Sequence, residues 1–236
     1  MLEDIKEFNN KTKLRKASLP SGKTPIEYIH VFHKEYPRFP SKKLPNISHS
    51  GEFDNLLQRR RSERTFSDKY VSIRSIANIL SSCRIVIKDP ERRTYPSGGA
   101  RFPVELYLVA FRIRGLDQGI YHFNINKFSL ELLLQADLRK YEKELTSSFL
   151  KNVAGAIIFT SVMSRSEVKY GLRAYALSLL EAGYLGQNIL LSLTKNKIGG
   201  CAVAGFVNDR VIELLDLTED ELPIHIIGFG YPIKQR

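Results

Sequence analysis

Tryptophan is absent from this 236-residue chain, and cysteine, methionine and histidine are scarce at 2, 2 and 5 residues. The two cysteines, Cys83 and Cys201, lie far apart and match no metal-ligand spacing, which excludes a zinc ribbon or a disulfide scaffold. Both fall in apolar stretches, so buried free thiols are expected. No three of the histidines, at positions 30, 33, 49, 122 and 225, suggest a metal site. His122 and His225 fall in strand patterns, where a hydrogen-bonded core or edge position is the default. No apolar run is long enough to span a bilayer. The opening residues Met-Leu-Glu-Asp-Ile-Lys-Glu are charged and carry no apolar core of a signal peptide. With so few cysteines, this predicts a cytoplasmic protein. Internal repeats and low-complexity tracts are also missing.

Acidic residues are outnumbered, 25 against 36 basic ones, for a net charge of +11. A surplus of that size favours an acidic partner: nucleic acid, a phosphate, an anionic cofactor or an acidic protein face. Zinc-finger spacing, an aromatic RNA-binding signature and an arginine-rich tail are all lacking, which weighs against nucleic acid.

An apolar content of 43% supplies enough side chains for one core. Residues 1–50 read as a basic, proline-containing arm, with Pro20, Pro25, Pro37, Pro40 and Pro45 and an aromatic cluster of Tyr28, Phe32, His33 and Tyr36. One short helix is expected there, near 25–35. Residues 51–236 read as a single domain. Leu56 and Leu57 lead a short helix into Arg59-Arg60-Arg61, and apolar spacing predicts a second helix over Ile73–Cys83. Strands are expected at 104–113, 119–123, 128–134, 154–162, 200–206 and 224–229, with a short helix ending at Leu215. Between them, 172–195 is apolar on most sides and reads as a buried central helix. Its Ala182, Gly183 and Gly186 suggest close packing. Helices and strands mix without a βαβ period, so the expected class is α+β.

Four stretches carry the chemistry. Arg60-Arg61-Ser62-Glu63-Arg64 gathers guanidinium forks that bind phosphate oxygens in pairs. Tyr95-Pro96-Ser97-Gly98-Gly99-Ala100 is a loop of small residues whose backbone N–H groups lie open to a flat or anionic ligand. Lys169-Tyr170-Gly171 precedes the central helix, and Glu181-Ala182-Gly183 with Gln187-Asn188 lies within it. Taken singly, each has a plainer explanation: a solvated arginine face, an ordinary turn, a basic helix start. In this order they resemble the nitroreductase superfamily of flavoproteins, and within it the SagB-type azoline dehydrogenases, which oxidise thiazolines and oxazolines in ribosomally made peptides.

That resemblance implies a nitroreductase-like fold: a mixed, mainly antiparallel sheet flanked by helices, with FMN at the interface of a homodimer. It implies that Arg60, Arg61, Ser62 and Arg64 hold the FMN phosphate and ribityl chain. Pro96, Ser97, Gly98 and Gly99, together with Ala204-Gly205, would meet the isoalloxazine. Lys234 or Arg236 would complete the phosphate site. Lys169 and Tyr170 would act at the substrate, helping to remove a proton while hydride leaves for the flavin. Free Lys and Tyr titrate near 10, so a base working near neutrality needs help. Arg173, four residues on, would disfavour the charged lysine if both shared a helical face. Tyr184 stands where relatives often place His, and Leu172, Ala174 and Ala176 replace charged or Gly residues, so the peptide-facing surface departs from the pattern. A precursor peptide and a cyclodehydratase are the implied partners. An NAD(P)H-dependent nitroreductase or quinone reductase of the same fold, and a basic non-catalytic binding module, are the alternatives.

Overall fold

A computed structural model describes residues 2–13, 34–47 and 50–233. The helices are α1 (Leu2–Thr12), α2 (Glu52–Arg59), α3 (Ile73–Leu80), α4 (Glu142–Leu145), α5 (Ser164–Tyr170), α6 (Arg173–Lys195) and α7 (Asn208–Leu215). The strands are β1 (Val71–Ser72), β2 (Ile85–Val86), β3 (Asp89–Arg93), β4 (Val104–Ala110), β5 (Ile113–Arg114), β6 (Gly119–Asn124), β7 (Ser129–Gln135), β8 (Gly155–Val162), β9 (Gly199–Val203) and β10 (Glu221–Gly230). Six of them form one sheet in the order β7-β6-β4-β8-β10-β9, with every neighbouring pair antiparallel. Among the described residues, parallel pairing is confined to β1 with β5 and to the bridges Ser62–Gly200 and Thr65–Lys151.

Both faces of the sheet are covered, which is why its central strands read as continuous apolar runs. Successive side chains of a strand point to opposite faces. Ile157 and Phe159 of β8 therefore join Leu106 and Leu108 of β4, Ile227 and Phe229 of β10, α3 and α6 in one core. Ala156 and Ile158 join Tyr107, Val109, Ile226 and α7 in a second. The helix α6 lies on the first face through Ala182, Leu185, Ile189 and Leu193. Its close approach to the sheet is set by a strand glycine: a Cβ on Gly200 would stand 2.6 Å from Leu193 Cδ1, whereas one on Gly186 would keep 3.6 Å from His225 Nε2. Gly183 faces open space.

The structure departs from the expected pattern at several points, among them α4 and α5, where no element was expected. The run 104–113 is broken at Phe111-Arg112, where Ile113–Arg114 leaves the main sheet to pair with β1. The short β2–β3 hairpin was invisible because Asp89–Arg93 is almost wholly polar. Helix α1 lies where the sequence pattern places none. It buries Ile5 against Met163, Ala174 and Leu222, sets Phe8 edge-on to Tyr175 at 5.8 Å, and pairs Lys6 with Glu219 at 2.8 Å. Two apolar contacts in an otherwise charged segment make too faint a period to read. Residues 34–47 are exposed and contain neither helix nor strand. The helix expected near 25–35, most of the aromatic cluster, and Lys234 and Arg236 lie outside the described residues.

Candidate active site

The loop after β3 is fixed at both ends. Tyr95 is buried, packs edge-on to Phe102 at 5.8 Å, and accepts a hydrogen bond from Arg93 Nη1 at 2.7 Å. Ser97 Oγ accepts the Phe102 N–H at 2.9 Å, and Ala100 N donates to Ser97 O at 3.2 Å. Pro96 and Gly99 are exposed, and Ser97 and Gly98 half-buried. Gly99 takes φ +59°, a left-handed conformation that costs a side-chain-bearing residue about 1–2 kcal/mol.

What stands over Gly99 is the end of α5. A Cβ added there would lie 2.2 Å from Tyr170 Oη and 3.1 Å from Lys169 Nζ. The structure thus brings Lys169 and Tyr170 onto the small-residue loop of the same chain. Gly171, at φ +54°, ends α5, and Arg173 begins the next helix. Lys169 is exposed and shares no helix with Arg173, so the shared-face argument for a second cation acting on it fails. Helix α5 is tied down by Arg165, whose Nη1 donates to Phe102 O at 3.1 Å and to Glu105, while Arg101 Nε donates to Arg165 O at 2.7 Å. Glu105 in turn bonds His122 Nε2 at 3.1 Å, and His122 Nδ1 lies 3.1 Å from Glu131. His122 is therefore a sheet residue held by hydrogen bonds between two carboxyl groups. Gly99→Ala should destabilise the fold by about 1–2 kcal/mol in denaturant unfolding through the backbone alone, and must also displace Tyr170.

A second polar group lies at the far end of α6. Arg60 ends α2 in extended conformation, and the chain then runs along the free edge of β9, with Glu63 N donating to Gly200 O at 3.1 Å. Side chains alternate along an extended segment, which puts Arg60, Ser62 and Arg64 on one side and Arg61 and Glu63 on the other. Arg61 Nε pairs with Glu63, and both line a cleft with Lys197 and Gly199. Ser62 and Arg64 line a second cleft with Glu63, Thr65 and Ile233, and both approach Cys201. Ala204-Gly205 follows β9 directly, with Ala204 exposed. Ser62 and Arg64 thus lie along β9, which leads into Ala204-Gly205, and Arg61 pairs with Glu63.

These two groups are not neighbours within one chain. Gly98 meets α6 at Leu177, and Gly200, bridged to Ser62, meets it at Leu193. Those leucines are about 24 Å apart along the helix, at ~1.5 Å per residue.

Sequence reasoning assigned no role to Glu181, which lies between them. Its side chain is 1% exposed. Oε1 accepts the Val104 N–H at 3.4 Å, and Oε2 has no partner among the described residues. Burial pushes its pKa up to about 7, against the pull of the Ser97 hydroxyl, the Val104 N–H, Arg93 and Arg165. A lone carboxylate on the inner face of an apolar helix was the available signal. The ordinary value is 4.5. Between that value and about 7 the unfolded chain releases this proton and the folded chain keeps it, so folding stability falls as pH rises through that window and is flat above it. The cost is about 3 kcal/mol, from ~1.4 kcal/mol per unit. Glu181→Gln should abolish it, which unfolding curves at about pH 5 and about pH 8 will show.

The profile of the nitroreductase family matches residues 57–231. The chain belongs to the nitroreductase family. Among curated relatives, the microcin B17-processing protein McbC of Escherichia coli is 26% identical over 250 residues, covering 97% of this chain and 89% of McbC. The nitroreductase-family protein MJ1384 of Methanocaldococcus jannaschii is 26% identical over 191 residues, 79% of this chain and 94% of that protein. Among solved structures, a chain of the E. coli microcin synthetase McbBCD complex with truncated pro-MccB17 bound superposes with a TM-score of 0.79 at 22% identity, covering 99% of this chain and 93% of that one. The nitroreductase-like α+β fold is shared with these relatives. Among the described residues, no helix is long and apolar enough to cross a membrane.

Proposed function

We propose that this chain is an FMN-dependent dehydrogenase of the SagB type, which works as a homodimer and oxidises azolines to azoles in a ribosomally made precursor peptide. The observation that carries this reading is the seating of Lys169 and Tyr170 on the bare backbone of Gly99, in a chain similar to McbC over nearly its whole length. A proton acceptor beside a flat, side-chain-free platform suits the removal of hydrogen from a planar heterocycle.

The residues fit FMN. Arg60, Ser62 and Arg64 supply fixed donors for a phosphate dianion, and Arg61, turned to Glu63, does not join them. Pro96, Ser97, Gly98 and Gly99 form a floor of small residues, with Tyr170 and Lys169 filling the space where a Gly99 side chain would stand, and Ala204-Gly205 adds exposed backbone beyond β9. About 24 Å along α6 is longer than one FMN reaches with its ring on the loop, so the two half-sites of one ligand come from different copies. The outer face of α6 suits such a pairing: Leu172, Leu179, Leu180 and Tyr184 are between 42% and 54% exposed, and Gly183 leaves room among them. Arg236 is a further candidate for the phosphate.

FMN, when bound, supplies a two-electron acceptor. The chain's own residues orient and deprotonate. Unprotonated Lys169 Nζ would take the proton from one azoline carbon as hydride leaves the other, and Tyr170, whose ring lies 5.3 Å from Nζ, would steady it over Gly99. The basic surface holds an acidic stretch of the precursor or of a cyclodehydratase partner. The McbBCD structure, with its pro-peptide, supports a multi-protein synthetase of this kind. The test is mass spectrometry of a precursor peptide treated with its cyclodehydratase, with and without this chain. Loss of two further hydrogens per ring supports the assignment. Dehydrated rings that stay unoxidised beside FMN-loaded protein, together with steady NADPH consumption on a nitroaromatic acceptor, would replace it with a nitroreductase activity.

A further inference from the structure

Glu181 is the only charged side chain buried among the described residues, and no step of the proposed reaction uses it. It sits behind the loop that carries Ser97, with Oε1 held by Val104 N–H and Oε2 unpartnered. The Ser97 hydroxyl is within reach of the carboxyl. We infer that Glu181 is a positioning residue that decides which way the Ser97 hydroxyl donates, and so whether the loop offers a side-chain hydrogen bond to the ring of its ligand. This rests on the reading of that loop as the floor of the FMN site.

The argument is one of donors and acceptors. A serine hydroxyl has one proton and two lone pairs. Phe102 N–H occupies one lone pair of Ser97 Oγ at 2.9 Å. One proton and one lone pair remain, to be divided between Glu181 on the inside and the ligand on the outside. An ionised Glu181 is an acceptor only, so it draws the Ser97 proton inward and leaves the ligand side without a donor. A protonated Glu181 reverses this. The carboxyl then donates its proton to the remaining lone pair of Ser97, whose own proton turns outward.

The groups facing the carboxyl are Arg93 from β3, Arg165 from α5, and Tyr95 and Ser97 from the loop itself. Both arginines have other partners: Arg93 donates to Tyr95 Oη and stacks over Phe102 at 4.1 Å, and Arg165 pairs with Glu105. They temper the burial of Glu181 without neutralising it, and the exchange falls near neutral pH. Hydrogen bonds to the ring are one means by which a protein tunes bound flavin. In its protonated form Glu181 therefore makes the site more electron-accepting, and in its ionised form less so.

Two measurements on the full chain test this. The first needs no ligand: infrared difference spectra between about pH 6 and about pH 8 should show a buried carboxylic acid C=O band that is lost with a midpoint near neutrality. It should vanish in Glu181→Gln, shift in Ser97→Ala and stay in Ser97→Thr. The second uses FMN-loaded protein, whose visible absorption should move with the same midpoint in the parent and in Ser97→Thr, and stay constant in Glu181→Gln and Ser97→Ala. A carboxyl band insensitive to Ser97→Ala, or a flavin shift that survives in Glu181→Gln, overturns the inference. A chain that takes up no FMN overturns the reading of the loop as a flavin floor, and the infrared arm alone then decides whether Glu181 governs Ser97.

Discussion

Replacing Lys169 with alanine should lower azole formation by roughly 100- to 10,000-fold, the usual worth of a positioned general base, while FMN stays bound. The two effects separate because Lys169 touches the loop and not the phosphate clamp. Its Nζ lies against the Gly99 position, whereas the phosphate would be held by the arginine block of the other copy. Tyr170→Phe keeps the ring that packs with α1 and removes only the hydroxyl. It should lower the rate less than Lys169→Ala, since Lys169 Nζ remains over the ring at 5.3 Å. The check is a single-turnover assay on cyclodehydrated peptide, with flavin content read by visible absorption. A Lys169→Ala protein that oxidises azolines at the parent rate would remove Lys169 from the reaction.

Losing the phosphate clamp should have an effect of similar size on cofactor affinity. A hydrogen bond to a charged group contributes about 1.5–3 kcal/mol, and ~1.4 kcal/mol is a factor of ten in binding. Arg60→Ala and Arg64→Ala should each weaken FMN binding roughly 10- to 100-fold, and the double variant should purify largely colourless. Arg61→Ala is the informative control. Its guanidinium is spent on Glu63, so FMN binding should stay close to that of the parent. Titration of apo-protein with FMN, followed by quenching of flavin fluorescence, gives all three constants. An Arg61→Ala defect as large as that of Arg64→Ala would contradict the alternation of side chains along the segment.

The fold was legible in the sequence where burial is simple. Strand β8 and helix α6 are buried against neighbours on known faces, so uninterrupted apolar character and 3.6-residue spacing described them nearly to the residue. Helix α1 was not legible, since Ile5 alone is fully inserted. Helix α5 was not expected either, and it ends at Gly171 in a positive-φ turn before α6 begins. That break took away the supposed pairing of Lys169 with Arg173. At the candidate site, the motifs named residue types and gave no distances. That Lys169 and Tyr170 rest on Gly99, that Arg61 turns away from Arg60 and Arg64, and that Glu181 lies buried behind Ser97 all depend on the register of segments far apart in the chain.

The most direct measurement is subunit complementation. Lys169→Ala chains and Arg60→Ala/Arg64→Ala chains, each inactive alone, are unfolded together, refolded with FMN and assayed for azole formation. If the clamp of one copy serves the loop and lysine of the other, half of the sites in every mixed dimer carry no substitution and activity returns. If one chain builds its whole site, each site retains one of the lesions, and the mixture stays as inactive as its parts.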